Sequence, residues 1–393
     1  MFEWKTVKVG DLVKINVSSY SKSDKWEFVN YLDTGNITAN AIDEIQRIDL
    51  AYKKLPSRAR RKVCLNDIVY STVRPNQRHY GIIKSVPDNF LVSTGFAVLR
   101  CNQEKIIPDY LYFLLSHNDI VDSLHSIAEQ SVSAYPSLKP SDIANLEITL
   151  PDLDTQKKIA SVLMSITSKI EKNNEINKNL EQQAHAIFIS EFTQLDGIPA
   201  GWEKSNLLEI ANYLNGLAMQ KHRPSDDEVG IPVLKIKELR QGSFDSNSGL
   251  CSPSIKPEYI VHDGDVIFSW SGSLLVDFWC GGTCGLNQHL FKVTSTKYDK
   301  WFYYAWTNYH LEKFAKIAAD MATTMGHIKR EELSNSEVLI PSETDYHRIG
   351  GFLTPIYDLM ILNRLENVKL ANLRDSLLPK LMSGETDVSD IKL

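Results

Sequence analysis

The amino-acid sequence contains a long internal repeat, in which matching residues return 190 to 198 positions later. Near the start the spacing is 198: Trp4 recurs as Trp202, and the segment 66–71 recurs as 264–269. Further along, the spacing is 190, and residues of the segment 150–180 recur in 340–370. A length of 393 residues suggests two or three domains, and the repeat favours two.

Each copy is predicted to form one α+β domain followed by one long helix. Short apolar runs at 67–73 and 96–99 predict strands. Apolar spacing predicts one helix from Pro108 onwards and a counterpart near Asp299. The predicted bounds are 1–150 and 197–341 for the two domains, 151–196 for the first long helix, and 342–393 for the second with its tail.

The long helices are indicated by apolar residues at steps of three and four, in a stretch from Asp152 to Phe192 without internal proline or glycine. The second copy repeats this seam, but Gly350, Gly351 and Pro355 lie near its start, so we expect a bend or a late start there.

Polar residues interrupt both seams at equivalent positions. They are Asn173, Asn177, Asn363 and Asn367. If the helices pack antiparallel, these amides would meet and form hydrogen bonds, which would select register at some cost in stability. The alternative that periodicity leaves open is an exposed polar face.

The net charge of −6 argues weakly against a nucleic-acid partner, but local charge differs. The window 51–84 contains nine basic residues and one acidic residue, Asp67, a density that suits a phosphate backbone. The alternative is a solvated basic loop.

The five cysteines lack the spacing of a disulfide framework, and no segment reads as a signal peptide or membrane helix. We therefore expect a cytoplasmic protein.

Catalytic signatures are missing from the sequence. It has no dinucleotide-binding or phosphate-binding glycine loop, no nucleophile elbow, and no Asn-Pro-Pro-aromatic signature of adenine methyltransferases. Cys280, Cys284 and His289 suggest zinc ligands only weakly, because their spacing is loose and the first copy has no equivalent. We therefore expect no catalytic residues, no metal and no cofactor in this chain.

The order of these features, found twice, resembles the DNA-specificity subunit of type I restriction-modification systems. The resemblance covers nearly the whole chain. It is carried by the segment 150–160, which begins Leu150-Pro151-Asp152, by 170–174, and by the domain entry Ile198-Pro199-Ala200-Gly201-Trp202. Within the domains, 55–60, 67–75 and 231–239 look like segments of target-recognition domains. The second helix departs from the pattern, with Tyr346-His347 where the first has Gln156-Lys157.

The resemblance implies two target-recognition domains that read a split site in double-stranded DNA. The two long helices would form an antiparallel coiled coil in a pseudo-two-fold arrangement. Such a chain does no chemistry itself. Two methyltransferase subunits, which carry S-adenosylmethionine, and motor and nuclease subunits would be its partners. The alternatives are a recognition arm of a restriction-methyltransferase enzyme, or a coiled-coil scaffold that binds no DNA.

Candidate DNA contacts are the basic and amide side chains in each domain, since Arg and Lys pair with guanine and Asn and Gln with adenine. In the first domain, base readers are expected at Arg74, Asn76, Gln77 and Arg78, phosphate anchors at Lys53, Lys54, Arg58, Arg60, Arg61 and Lys62, and loop contacts at Ser133, Tyr135 and Lys139. In the second domain, the candidates are Lys221, His222, Arg223, Lys235, Lys237, Arg240, Gln241, Thr323, Thr324, His327 and Lys329.

Overall fold

The computed structural model describes residues 4–130, 136–245, 247–320 and 329–392, and divides the chain into two compact units. Unit 1 comprises Met1–Ser168 and Asn372–Leu393, and unit 2 comprises Lys169–Ala371. Each copy of the repeat provides one domain, and both long helices contribute residues to both units.

The first copy contains twelve described strands and four α-helices. The strands are β1 (Lys5–Lys8), β2 (Val13–Ile15), β3 (Phe28–Leu32), β4 (Ile37–Thr38), β5 (Ala41–Ile42), β6 (Gln46–Asp49), β7 (Ala59–Lys62), β8 (Ile68–Ser71), β9 (Tyr80–Ile82), β10 (Phe90–Ser93), β11 (Phe96–Cys101) and β12 (Glu147–Leu150). The helices are α1 (Pro108–Ser116), α2 (Asn118–Glu129), α3 (Pro140–Ala144) and α4 (Leu153–Phe192).

The second copy contains ten described strands and six α-helices. Its strands are β13 (Glu203–Asn206), β14 (Asn212–Asn215), β15 (Ile231–Leu234), β16 (Leu250–Cys251), β17 (Ile260–Val261), β18 (Val266–Ser269), β19 (Leu275–Phe278), β20 (Cys284–Leu286), β21 (Leu290–Thr294) and β22 (Glu337–Ile340). Its helices are α5 (Leu207–Ile210), α6 (Ile236–Gln241), α7 (Lys300–Tyr309), α8 (Leu311–Asp320), α9 (Arg330–Ser334) and α10 (Glu343–Met382).

The two domains share one sheet topology. In the first, the strands are ordered β6-β3-β10-β7 and β2-β11-β8-β9, with β1 paired to β12. In the second, the corresponding orders are β16-β15-β20-β17 and β14-β21-β18-β19, with β13 paired to β22. Even the parallel pairing is repeated, since β3 runs parallel to β10 and β15 runs parallel to β20. The predicted α+β class and duplication are confirmed.

The long helices form part of each domain's core. In unit 1, Ile159 and Leu163 of α4 and Leu381 of α10 are buried with the residues of α1. In unit 2, Phe188 of α4 and Leu353 of α10 are buried with the residues of α7. Complete burial of a leucine or phenylalanine is worth about 1.5–3 kcal/mol, so these contacts fix each domain firmly to the helices.

The helix after each central sheet is broken, which corrects the prediction of one continuous helix. In the first domain His117 is extended between α1 and α2, and its ring accepts a hydrogen bond from the Asp119 N–H at 3.3 Å. In the second, His310 separates α7 from α8, and its Nε2 donates to the Glu337 carbonyl at 2.9 Å. Apolar periodicity continues across both breaks, so it could not reveal them.

The second long helix does not start late. Residues 343–382 form one helix of 40 residues that includes Gly350, Gly351 and Pro355, so the predicted late start is wrong. The Ser342 hydroxyl accepts from the Asp345 N–H at 3.3 Å, a capping bond that sets the start before the glycines. Pro355 and Gly351 are exposed, so water can reach the carbonyl that the proline leaves without an intrahelical donor. Within the described ranges, no helix is both long and apolar enough to cross a membrane.

Tyr346 stands where the first copy has Gln156, and it forms an equivalent hydrogen bond through a different side chain. In the first copy, the buried Gln156 accepts a hydrogen bond from the Ile107 N–H, just before α1, at 3.0 Å. In the second, the Tyr346 hydroxyl accepts one from the Asp299 N–H, just before α7, at 2.7 Å. Both side chains therefore tie the start of a long helix to the start of a domain helix.

Adjacent glycines of α10 give a matched stability test. A Cβ on Gly350 would lie 2.9 Å from Nε1 of the buried Trp301, whereas a Cβ on Gly351 would meet nothing within 4 Å. We expect Gly350→Ala to lower the free energy of unfolding by about 1–3 kcal/mol through overpacking. Gly351→Ala should raise it by about 0.5–1 kcal/mol, because alanine loses less entropy in a helix. Denaturant unfolding of both variants measures this, and equal effects would contradict the close packing.

Candidate nucleic-acid interface

Polar loops of the first domain gather at one end of the β2-β11-β8-β9 sheet, which we call its loop end. Ser71, the last residue of β8, pairs with Phe96, the first of β11, so the loops after β8 and before β11 lie together. The Thr72 hydroxyl donates to the Gly95 carbonyl at 2.9 Å and links them. The chain after the helix pair joins them, since the Arg74 N–H donates to the Pro136 carbonyl at 3.0 Å.

The predicted readers form a tight turn at this loop end. Pro75–Gln77 is a 3-10 turn, and Arg74 and Arg78 on either side of it are left-handed, with φ of 47° and 57°. Non-glycine residues adopt this conformation at a cost and only where their surroundings hold them. The turn is therefore a rigid projection, and Arg74, Asn76 and Gln77 are exposed on it.

Arg78 is exposed too, but its side chain contacts the start of α2. Its guanidinium donates to Asn118 Oδ1, at the start of α2, at 2.8 Å. It lines a cavity of about 370 Å³ together with Tyr80, His117 and Arg374. Its neighbours are thus the start of α2 and the last turns of α10. Of the four predicted base readers, Arg78 is therefore the one least suited to contact DNA.

The basic window does not fold into one patch. Arg58 lies at the loop end, because its carbonyl accepts from the Thr94 N–H at 2.8 Å. Lys53 follows the opposite end of its sheet, where Asp49 pairs with Phe28. Lys54 and Arg60 are exposed too. Strand β7 crosses between the two ends, so residues that are close in sequence are separated in space.

One predicted anchor is paired within its domain, and a second is half-buried. The Lys62 ammonium lies 2.5 Å from Asp24 Oδ1 and sits over the Trp26 ring, so its charge is already paired. Arg61 is half-buried, and its Nε is buried with no hydrogen-bond partner in the described part of the chain. We therefore leave Lys62 and Arg61 out of the proposed phosphate anchors.

Electrostatics at the loop end involve Asp33 as well as Arg58. Burial raises the pKa of the Asp33 carboxyl, but hydrogen bonds from the Thr34 N–H and the Ser93 hydroxyl outweigh it, and with the Arg58 charge they lower that pKa. Asp33 is therefore ionised at neutral pH, and its charge attracts the Arg58 guanidinium.

The loop residues that follow the domain helices are only partly described. Ser133, Tyr135, Thr323, Thr324 and His327 lie outside the described residues. Lys139 and Lys329 are exposed at the starts of α3 and α9.

The second-domain candidates fall into separate groups. Lys221, Arg223 and Lys235 are exposed and His222 is half-buried. The Lys237 ammonium pairs with Asp245 at 2.5 Å, and we leave it out for the same reason as Lys62. Exposed Arg240 and Gln241 line a cavity of about 240 Å³ with Asn174, Arg364 and Asn367 of the long helices, so they face those helices.

At the matching end of the second domain, sequence reasoning missed Trp270 and Gln288, and it considered His289 only as a weak zinc ligand. The 198-residue repeat gave a signal for the first of them, because it aligns Trp270 with Thr72 and left-handed Gly272 with left-handed Arg74.

The seam asparagines meet in unit 2. Asn173 Nδ2 donates to Asn367 Oδ1 at 2.9 Å and to Glu366 at 2.7 Å. Asn363 Nδ2 donates to Asn177 Oδ1 at 2.9 Å, and both of these residues are buried. The bonds from Asn173 and Lys169 lower the pKa of Glu366. Partner numbers fall along α10 as they rise along α4, so the helices pack antiparallel there.

The residues considered for zinc are two buried cysteines and a histidine with other hydrogen-bonding neighbours. Cys280 and Cys284 are buried free thiols, and burial raises the pKa of Cys280 to about 11. His289 Nδ1 instead lies 3.2 Å from the Ser271 hydroxyl. Within the described ranges, no group of three or more His, Cys, Asp or Glu side chains could hold a metal ion.

Comparison with known proteins identifies the family. The family described as "Type I restriction modification DNA specificity domain" matches residues 1–182 and 199–372. The specificity subunit of the type I restriction enzyme HindI from Haemophilus influenzae is 22% identical over 98% of this chain and 100% of its own length. That of MjaIX from Methanocaldococcus jannaschii is 24% identical over 74% of this chain and 71% of its own length.

A solved structure agrees at the level of the fold. The crystal structure of a type I restriction-modification system S subunit from M. genitalium covers 97% of this chain and 96% of its own, with 13% identity and a TM-score of 0.57. The two family matches span most of the 393 residues. The chain therefore belongs to the type I restriction-modification DNA specificity family and is a specificity subunit with two such domains.

Proposed function

We propose that this chain reads a split target in double-stranded DNA, with one recognition domain for each half, and that it does no chemistry of its own. The observation that carries the proposal is the repeated topology, in which each domain presents polar loops at the same end of its central sheet. Base readout needs such donors and acceptors on a rigid scaffold, and phosphate contacts need exposed basic side chains.

The long helices would set the distance between the two half-sites. Each contains 40 residues, or about 60 Å at a rise of 1.5 Å per residue, and each packs into the cores of both units. The buried asparagine bonds favour one register of the pair, because any slip would leave amides buried without partners. A fixed register means a fixed spacing between the bases that are read.

Adenine methylation would come from two methyltransferase subunits that bind S-adenosylmethionine and dock on this chain, and cleavage from motor and nuclease subunits. The support is the family itself, together with the absence from the sequence of a methyltransferase signature. This chain would then recognise the DNA sequence, and its partner subunits would catalyse the reaction.

Methylation mapping tests this function. The chain is co-expressed with the methyltransferase subunit of a type I system, and methylated adenines are mapped across the host genome. We expect a motif of two short halves separated by a fixed number of unread bases, and no methylation by the purified chain alone. A continuous motif, or methyl transfer by the isolated chain, would overturn the proposal.

A further inference from the structure

Three loops of the second domain converge at the loop end of the β14-β21-β18-β19 sheet. Asn215, the last residue of β14, pairs with Phe291, and Ser269, the last of β18, pairs with Leu290. The residues just after β14, just after β18 and just before β21 therefore lie side by side. None of them belongs to the basic segments of this domain.

Polar side chains from these loops form three hydrogen-bond contacts, in two groups. The Trp270 indole donates to Asn215 Oδ1 at 3.1 Å. His289 lies between two partners: its Nδ1 is 3.2 Å from the Ser271 hydroxyl, and its Nε2 is 3.3 Å from Gln288 Nε2. The centroids of the Trp270 and His289 rings are 6.3 Å apart, so the two groups form one cluster. We call Asn215, Trp270, Gln288 and His289 the amide cluster.

The backbone beneath the amide cluster is held closely. A Cβ on Gly216 would lie 2.2 Å from the Asn287 carbonyl oxygen, so only glycine permits this approach of the two loops. The Gly216 N–H donates to the Leu290 carbonyl at 3.0 Å, and the Gln288 N–H donates to the Leu217 carbonyl at 2.8 Å. The loops are therefore a fixed support, which a side chain that reads bases needs.

The cluster leaves hydrogen-bonding atoms available on amides that are already oriented. Within the described residues, Gln288 Oε1 and Asn215 Nδ2 form no hydrogen bond. Gln288 is half-buried, so its amide is fixed by His289 yet reachable from outside. Its open oxygen and second N–H form the acceptor and donor pair that matches N6 and N7 of adenine in the major groove.

We infer that Gln288 reads an A·T base pair in one half of the target, with His289 and Ser271 as its positioning residues. The inference rests on the proposed function and deepens it. Asn215, held by Trp270, is a second amide at the same loop end. Lys235 is exposed and follows Leu234, whose carbonyl accepts from the Asn287 N–H at 3.2 Å, so the backbone of Lys235 lies close to this loop.

The first domain presents different chemistry at the same place. Its loop end carries the guanidinium groups of Arg58 and Arg74, which suit guanine and phosphate, beside the amides of Asn76 and Gln77, whereas the amide cluster contains no guanidinium. The two halves of the target should therefore differ in base composition, with the A·T pair assigned to Gln288 in the second-domain half.

Substitution of Gln288 tests the inference in the complex of the full chain with its methyltransferase subunits. In Gln288→Leu, discrimination at one A·T position of one half should fall roughly 5- to 150-fold, while the other half stays unchanged. Gln288→Glu should move preference at that position from A·T towards C·G, because a carboxylate accepts from cytosine N4 but cannot donate to adenine N7. Methylation rates on duplexes that differ at one base pair give both results.

Asn212→Leu is the matched control, since this exposed amide of the same domain pairs with Thr294 at the opposite end of β14 and should leave every position unchanged. Unfolding midpoints of the variants establish that they are folded, and should Gln288→Leu prove unstable, Gln288→Glu decides. If folded Gln288 variants discriminate between base pairs as the wild type does, the inference is overturned. A split motif of the wild-type complex would still support the proposed function. If the wild type yields no split motif, the proposed function itself fails.

Discussion

Replacing Arg58 and Arg74 together with alanine should weaken binding of the assembled complex to its target DNA by about 1.5 to 4.5 orders of magnitude at 0.15 M salt. Both side chains are exposed at the loop end of the first domain. Removing one arginine that binds a base or phosphate costs about 1–3 kcal/mol, and two such costs at separate positions are roughly additive. The slope of log affinity against log salt should also fall by about one for each phosphate that no longer binds an arginine.

Titration of labelled duplex between 50 and 200 mM salt measures both effects. The matched control is Lys5→Ala with Lys105→Ala, which removes the same charge. These exposed lysines line a cavity of about 590 Å³ with Asp11, and Lys105 lies beyond the opposite end of β11. An equal drop in affinity in the control would show that total charge matters and the loop end does not.

Replacing Asn363 with alanine should lower the stability of unit 2 by about 1–3 kcal/mol. The Asn363 amide donates to Asn177 Oδ1 inside the seam, and its removal leaves that buried oxygen without a partner. For a unit of this size, the unfolding midpoint should fall by about 2–12 °C. Asn372→Ala, an exposed asparagine on the same helix, should leave the midpoint within about 1 °C.

Replacing both seam residues distinguishes stability from register. Asn177→Leu with Asn363→Leu removes donor and acceptor together, so the double variant should be as stable as the wild type or more stable. Its helices should then be less strictly held in one register. Methylation mapping would then detect methylation at sites in which the spacing between the two halves is one base pair longer or shorter than in the wild-type target. A double variant less stable than Asn363→Ala would contradict this account of the seam.

The architecture was predictable because it rests on periodic patterns. Apolar steps of three and four identified both 40-residue helices, and the repeat offset identified the second domain from the first. The strands at 68–71 and 337–340 follow their apolar runs closely. What patterns missed were local breaks: the extended His117 lies between two helices whose apolar spacing is uninterrupted.

The candidate site was less predictable, because a linear charge count does not say which way side chains point. Lys62 and Lys237 were counted as anchors, yet each is paired with an aspartate that lies 38 or 8 positions away in sequence. Gln288 was overlooked because a glutamine before a strand has no distinctive pattern. Its interest comes only from the sheet register that brings Asn215 and Trp270 beside it.

The pair Gln156 and Tyr346 shows how the two copies have diverged. An amide oxygen in one copy and a phenolic oxygen in the other accept a hydrogen bond from the backbone just before a domain helix. The inherited property is thus the location of an acceptor atom, and the residue that supplies it has been free to change. Duplications of this kind should be easier to trace by comparing where donors and acceptors lie than by counting identical residues.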